Sequence, residues 1–328
     1  VNPPPPIELA SRLRLRHVSA MMTSAGLHHI TALSGDMRRT LDFYTRLLGL
    51  RLVKRTVNYD DPSSWHLYFG DALGSPGTLV TFFSWEDTRQ GQPGAGEAVA
   101  LSFSIPPGAA AFWAERLNDE GVTFALDHTA PTPVIALHDP DGIGLELVED
   151  QDMGASHPPM LSDIAPEHAI MALMGATLLV DNIEATARLL IDVFGWRETG
   201  RAELPGFERL RLESDLSRIE LLRGENIPPA RRGIGSIHHI AFRAESDEAQ
   251  AEMVVALRKM GFETTPMLDR TYFRSVYFRE PSGVLFEIAT DAPGFTVDEN
   301  IETLGQKIIL PEQFETRRKE ILAKLPEL

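Results

Sequence analysis

Apolar and polar positions along this chain repeat in one order four times: a strand-length apolar run, a stretch with apolar residues three and four apart, a glycine, then further strand-length runs. In the last repeat Ile237–Phe242 reads as a strand and Asp247–Met260 as a helix, with Ala251, Val254, Val255 and Leu257 on its apolar side. Gly261 stops that helix, and Thr271–Phe278 and Gly283–Ala289 return to the strand pattern. The first repeat predicts strand Leu27–Leu33, helix Met37–Leu48, a stop at Gly49, and strands Leu50–Asn58, Trp65–Phe69 and Gly77–Phe83. The second predicts strand Ala98–Ile105, helix Gly108–Asn118, a stop at Gly121, and strands Val134–Leu137 and Gly144–Val148. The third predicts strand Ala176–Val180, helix Ile183–Phe194, a stop at Gly195, and strands Arg197–Arg201, Phe207–Arg211 and Arg218–Leu222.

Two matching turns support the repeat. His138-Asp139-Pro140-Asp141-Gly142 and Arg279-Glu280-Pro281-Ser282-Gly283 each suit a tight turn, and each is followed by a strand that carries a glutamate, Glu146 or Glu287. The pattern is therefore α+β, with four βαβββ modules at about 27–85, 97–150, 170–224 and 235–290. Residues 151–167, with Pro158, Pro159 and Pro166, read as a linker between an N-terminal domain at 22–150 and a C-terminal domain at 168–291. In the remaining segment, 292–328, the run Leu310–Leu325 predicts a closing amphipathic helix with Pro311 in its first turn. Residues 1–21 stand apart: a proline run at 3–6 and Arg12, Arg14 and Arg16 predict a disordered extension, with a short basic transit peptide as the alternative.

Composition narrows the function classes. With 328 residues, 43% of them hydrophobic, the chain has enough apolar material for two cores. A formal charge of −16, from 31 basic and 47 acidic residues, argues against nucleic acid or an anionic membrane surface as partner. No apolar run is long enough for a spanning helix. The absence of cysteine excludes disulfides, thiolate metal sites and a cysteine nucleophile. This balance suits a cytoplasmic enzyme with a small-molecule substrate.

The candidate chemistry lies in a doublet that occurs twice, His28-His29 and His238-His239, together with Glu287. Two histidines and a carboxylate on strands are the ingredients of a facial metal site with open positions. The other copies do without them: module 1 has Thr81 where a glutamate would stand, module 2 has Val99-Ala100 at the doublet and Glu146 in its last strand, and module 3 has Met174-Gly175 and Glu220. The fold therefore does not require these residues. Strand alternation separates the members of each pair. His28 shares a face with Ile30 and Ala32, and His238 with Ile240 and Phe242, which predicts helix-covered faces. His29 shares with Thr31, and His239 with Ala241 and Arg243, which suits a polar cavity. His29 and His239 are the expected ligands, and His28 and His238 their buried neighbours. His66 reads as structural, near the cavity rim; Glu146 reads as a structural or exposed carboxylate; His128, His138, His157 and His168 lie in or beside loops without a partner.

Leu27-His28-His29-Ile30-Thr31, Leu52–Asn58, His66–Asp71 with Gly74–Thr78, Ile237–Phe242, Gly283–Glu287 and the segment from Leu304-Gly305 to Gln313-Phe314 together resemble the vicinal oxygen chelate superfamily, the group of glyoxalases, bleomycin-resistance proteins and extradiol dioxygenases. More narrowly, they resemble ring-cleaving dioxygenases that act on hydroquinones. The resemblance implies two half-open β-barrels and a mononuclear Fe(II) site, with Mn(II) as a substitute, held by His29, His239 and Glu287. It also implies catalytic neighbours at His28, Thr31, His238, Arg270 and Tyr277. The implied reaction is extradiol-type: both atoms of O2 enter a hydroquinone or catechol ring. In it His238 transfers a proton, His28 and Thr31 relay or anchor, Tyr277 hydrogen-bonds a substrate or oxygen atom, and Arg270 holds negative charge. Arg270 has the wrong strand parity for the cavity, so it is expected to reach in from the strand's mouth. Aromatic degradation in the cytoplasm, as a monomer or homo-oligomer, completes the expectation.

Two alternatives stand beside it. A glyoxalase-like isomerase or lyase would use a non-redox metal and a fourth ligand, which Thr81 disfavours. A metal-free protein that sequesters a small molecule would have no use for the triad. The triad also predicts pairing in space: with His29 in module 1 and the other two ligands in module 4, modules 1 and 4 are expected to share one half-barrel, and modules 2 and 3 a second one without metal.

Overall fold

Local signals set the elements. The computed structural model describes residues 26–86, 88–127, 132–150 and 162–328. The extension at 1–21, most of the linker at 151–167, His128 and His157 lie outside them. Module 1 comprises β1 (Leu27–Ser34), α1 (Met37–Asp42), β2 (Arg51–Val57), β3 (Trp65–Gly70) and β4 (Leu79–Ser84). Module 2 comprises β5 (Glu97–Ile105), α2 (Ala110–Asp119), β6 (Phe124–Asp127), β7 (Val134–His138) and β8 (Gly144–Glu149). Module 3 comprises β9 (Ala172–Leu179), α3 (Ile183–Phe194), β10 (Arg197–Leu204), β11 (Phe207–Glu213) and β12 (Arg218–Gly224). Module 4 comprises β13 (Ile237–Ala244), α4 (Asp247–Lys259), β14 (Leu268–Asp269), β15 (Arg274–Arg279) and β16 (Leu285–Thr290).

Capping explains where three helices begin. Asp36 accepts from the backbone N–H groups of Arg38 and Arg39, Asn182 from Ala185, and Ser246 from Ala249. Gly195, left-handed at φ 69°, ends α3. The buried stripe of α3, Ile183, Ala187, Leu190 and Phe194, has helical spacing and packs into the core. Its last member stacks on Phe242 of β13 at 4.3 Å between ring centroids, so a helix of module 3 packs on a strand of module 4. The two proline–glycine turns carry a shared device: Asp139 accepts from the N–H groups of Asp141 and Ile143, and Glu280 from those of Ser282 and Val284. Each acid also reaches the preceding module, Asp139 from Tyr44 Oη and Glu280 from Thr186 Oγ1.

The strands form two eight-stranded sheets, in the order β14-β15-β16-β13-β1-β4-β3-β2 and β10-β11-β12-β9-β5-β8-β7-β6. Modules 4 and 1 make the first, and modules 3 and 2 the second, as the ligand positions required. In each sheet an antiparallel pair joins the two modules at the centre: β1 with β13, and β5 with β9. The first sheet curls around a cavity of about 240 Å³. Its edge strand β2 is covered by the chain after β16, through the Ile309 N–H bonded to the Arg55 carbonyl and the buried ion pairs of Lys54 with Asp298 and Glu299. No helix among the described residues is long and apolar enough to cross a membrane.

Four expectations change. The helix predicted at Met37–Leu48 is α-helical only to Asp42 and continues as a wider π turn over Phe43–Leu47. The closing helix at Leu310–Leu325 breaks into a 3₁₀ stretch, Glu312–Arg317, and a short α5 (Arg318–Leu322), with Pro311 just before the first. Strands β6 and β14 were not predicted: they are short, and β14 is only two residues long. Thr271–Phe273 is a turn rather than a strand start, because Thr271 adopts φ 67°.

Candidate metal centre

Strands β1, β13 and β16 bring three side chains to one point. His29 and Glu287 sit in neighbouring rows, both opposite Ala241 of β13, and His239 lies opposite Thr31. His29 Nε2 is 3.3 Å from His239 Nε2 and 3.3 Å from Glu287 Oε2, and His239 Nε2 is 2.9 Å from Glu287 Oε2. All three residues are buried.

The donor set fits a divalent metal. Three cis ligand atoms at metal-bond lengths of 2.0–2.2 Å are about 3.0 Å apart, close to the observed triangle. Ser275 Oγ donates to Glu287 Oε1 at 2.5 Å, while the buried Oε2 has no hydrogen bond of proper geometry. A buried carboxylate oxygen facing two imidazole nitrogens without a hydrogen bond is unusual in a folded protein, and a cation satisfies it. Burial would push Glu287 upward, but attraction to His29 and His239 outweighs this and keeps its carboxyl well below the usual range. Burial pushes His239 down, so its imidazole is neutral, as a ligand must be.

The first histidine of each doublet sits against its neighbour's ring, and His238 also lines the cavity, contrary to the strand alternation, which had put both on helix-covered faces. β-Bulges explain this. The β1–β13 register shifts between Leu27 and His29, and again between Thr31 and Ala32 opposite Ile237 and His239. His28 and His238 occupy the extra positions, which re-aims their side chains. Each is bonded through Nδ1 to the Nδ1 of its neighbour, at 2.9 Å for His28 with His29 and 2.8 Å for His238 with His239. For His29 and His239 to offer Nε2, each must carry its proton on Nδ1 and donate it to His28 or His238. Burial drives His28 well below the ordinary histidine value and His238 to about 2, so both accept in the neutral form.

The other predicted residues surround the same cavity. Tyr277, opposite Glu287 on β15, and Arg270, in the loop before that strand, both line it. Arg270 enters from the mouth, as its parity required. It pairs with Asp60 at 3.0 Å and lies 5.5 Å from the centroids of the Tyr59 and Tyr277 rings. Thr31 is buried and hydrogen-bonded to Thr81 at 2.8 Å. Thr81, which occupies in module 1 the place of Glu287, is also bonded to His66 Nε2 at 2.9 Å, and His66 Nδ1 to Tyr68 Oη at 2.9 Å. His66, read as structural, therefore lines the cavity within a run of four polar side chains. Phe273, Phe83 and Leu285 supply apolar wall. The sequence reading missed Ser275, Tyr68 and Phe273. Ser275 alone had a signal, since it lies two residues before Tyr277 on the same face. Glu146 is partly buried in the second sheet, His168 stacks on Phe112, and His138 ends β7, all away from this centre.

The profile of the Glyoxalase/Bleomycin resistance protein/Dioxygenase superfamily matches residues 26–147 and 170–288. MhqO of Bacillus subtilis (strain 168), provisionally named a ring-cleaving dioxygenase, is 42% identical over 296 residues, covering 90% of this chain and 94% of its own. The chlorohydroquinone/hydroquinone 1,2-dioxygenase of Sphingobium indicum is 32% identical over 307 residues, covering 90% of this chain and 94% of its own. A crystal structure of a provisionally named dioxygenase from Bacillus subtilis subsp. subtilis str. 168 superposes with a TM-score of 0.87 at 40% identity, over 93% of this chain and 98% of that one.

Proposed function

The chain belongs to the Glyoxalase/Bleomycin resistance protein/Dioxygenase superfamily, and from that premise we propose that it is an Fe(II)-dependent dioxygenase that opens hydroquinone-type rings. The observation that carries the reading is the triangle of His29 Nε2, His239 Nε2 and Glu287 Oε2 on the wall of an aromatic-lined cavity. These three residues would hold the metal, with Mn(II) as a substitute. A redox-active divalent metal there would supply a common anchor for a ring hydroxyl and O2 and would lower the hydroxyl's pKa.

The chain's own residues do the rest. An apolar cavity of about 150 Å³ accommodates benzene, so about 240 Å³ suits one substituted ring. Phe273, Phe83, Tyr59 and Leu285 form the apolar wall for it. His28 and His238 fix the tautomers of the two ligand imidazoles. In that state His238 presents an N–H, so it serves as a hydrogen-bond donor to a substrate or oxygen atom. Tyr277, whose hydroxyl burial holds far above its usual range, stays protonated and donates to a substrate oxygen. Arg270, already tied to Asp60, lends positive potential at the mouth. The run Tyr68–His66–Thr81–Thr31 offers a path for moving a proton along the inner wall.

The bond broken joins a hydroxyl-bearing ring carbon to its neighbour. The first becomes a carboxyl carbon, the second an aldehyde carbon, and both atoms of O2 are retained. The substrate is a small aromatic diol, and the place of work is the cytoplasm. The isomerase alternative lacks a fourth ligand, since Thr81 is engaged with Thr31 and His66. Anaerobic Fe(II) loading followed by O2 uptake with hydroquinones and catechols tests the reading. Ring-dependent uptake is expected with Fe(II) and none with Zn(II); full activity on a glyoxalase substrate with Zn(II) would replace it with the isomerase.

A further inference from the structure

A second hollow, of about 260 Å³, lies on the other side of His238. Its walls include Glu97, Arg232, Arg279 and Ser282, and it shares His238 and Leu285 with the reaction cavity. The two spaces therefore have two side chains as a common wall. His238 is pinned by its bond to His239, which leaves Leu285 as the freer half of the partition.

The charges here run against the rest of the molecule. The chain carries 47 acidic and 31 basic residues, and many of its arginines pair with a carboxylate, as Arg201, Arg211, Arg243 and Arg274 do. Among the described residues Arg232 and Arg279 form no such ion pair, although both line this hollow. Arg279 donates to the Gly283 carbonyl at 2.7 Å. Glu97, the acid in the wall, bonds to Ser236 and offsets part of the Arg232 charge without forming an ion pair with it. Arg232, Arg279 and His238 all line this one hollow, which places the three groups near one another. Two unpaired guanidinium groups around one concavity form a receptor for an anion with carboxylate geometry.

We propose that this hollow receives the carboxylate of the ring-opened product. The inference rests on the dioxygenase reading, which makes the substrate a neutral diol and the product an anion, since the oxidised hydroxyl-bearing carbon ends as a carboxylate. The arginine pair thus attracts what the reaction makes and not what it consumes, and its hollow shares the His238 wall with the reaction cavity.

The test uses the full, metal-free chain, so that a carboxylate has no metal to bind, with maleate as probe. Calorimetric titration is expected to show saturable, salt-sensitive binding. The Arg232→Gln/Arg279→Gln double variant should weaken it by about 10-fold or more, as loss of charge-assisted hydrogen bonds requires. The Arg232→Lys/Arg279→Lys variant, which keeps the charge, should retain saturable binding and so guards against a folding artefact. Unchanged maleate affinity in the Gln variant, or no saturable binding to the parent chain, overturns the inference. Hydroquinone-dependent O2 uptake is measured separately on the Fe(II) form. Uptake without maleate binding sinks the anion site alone; maleate binding without ring opening sinks the dioxygenase reading and the product assignment with it.

Discussion

The two sheets are built alike, and among the described residues only one carries a candidate metal centre. Their central registers correspond: His29 opposite Ala241 matches Ala100 opposite Thr177, and Thr31 opposite His239 matches Ser102 opposite Gly175. Both sheets have the same pair of bulges, with Val99 and Met174 where His28 and His238 stand. Glu287 corresponds to Glu220, and Thr81 to Glu146. The second sheet thus has carboxylates at both last-strand positions and neither imidazole. No side chain fits where His239 stands in the first sheet: a β-carbon on Gly175 would lie 2.2 Å from the Arg218 carbonyl oxygen. Arginine supplies the missing positive charge, with Arg211 Nε 2.6 Å from Glu220 and Arg218 and Arg209 farther off. The same backbone frame therefore sets its acid against two imidazoles in one sheet and against guanidinium groups in the other.

The largest expected effect tests that contrast directly. Glu287→Ala should lose bound iron and fall to background turnover with an unchanged circular dichroism spectrum, whereas Glu220→Gln should keep both iron and turnover and lose about 1–3 kcal/mol of stability. Metal analysis, O2 uptake and denaturant titration of the pair decide it; iron retained at a near-normal rate in Glu287→Ala would end the assignment. Next, His238→Phe should slow turnover by about 10²–10³-fold as a lost hydrogen-bond donor, while Met174→Ala at the matching bulge should leave turnover alone. A third effect concerns the covered edge. Lys54 is fully buried against Asp298 and Glu299, so Lys54→Met strands a buried carboxylate and should cost about 3–5 kcal/mol in urea unfolding.

A fourth effect lies in the turn acids and is spread over a pH range. Burial raises Asp139 to about 7. Its folded value exceeds its unfolded value, so the folded state holds the extra proton between pH 4 and 7, and stability falls as pH rises through that window, by at most about 1.4 kcal/mol per pH unit. Asp139→Asn should flatten this dependence in unfolding curves taken from pH 4.5 to 8; an unaltered slope would assign it elsewhere.

Much of this was legible along the chain. The module order, the α3 and α4 boundaries and the cross-pairing of modules followed from periodicity, glycine stops and the placement of the doublets, because those signals are local or are fixed by metal–ligand reach. The bulges were not legible: a single extra residue in one strand depends on the partner strand, and strict alternation sent His28 and His238 to the wrong face. Nor was the role of His66, whose partners Thr81 and Tyr68 become neighbours only through sheet pairing. The break in the closing helix reflects packing against β2, which overrides a helical hydrophobic pattern.

The cross-pairing has a consequence for synthesis. Strand β1 finds its partner some 200 residues later, and β5 waits for β9. A ribosome that has made only the first two modules therefore holds two strands with open hydrogen-bonding edges, the kind of surface that recruits other chains. The same edges can be closed by a second copy of the chain, so exchange of halves between two molecules costs few contacts. The metal centre, drawn from the first and last modules, forms only when that closure is complete.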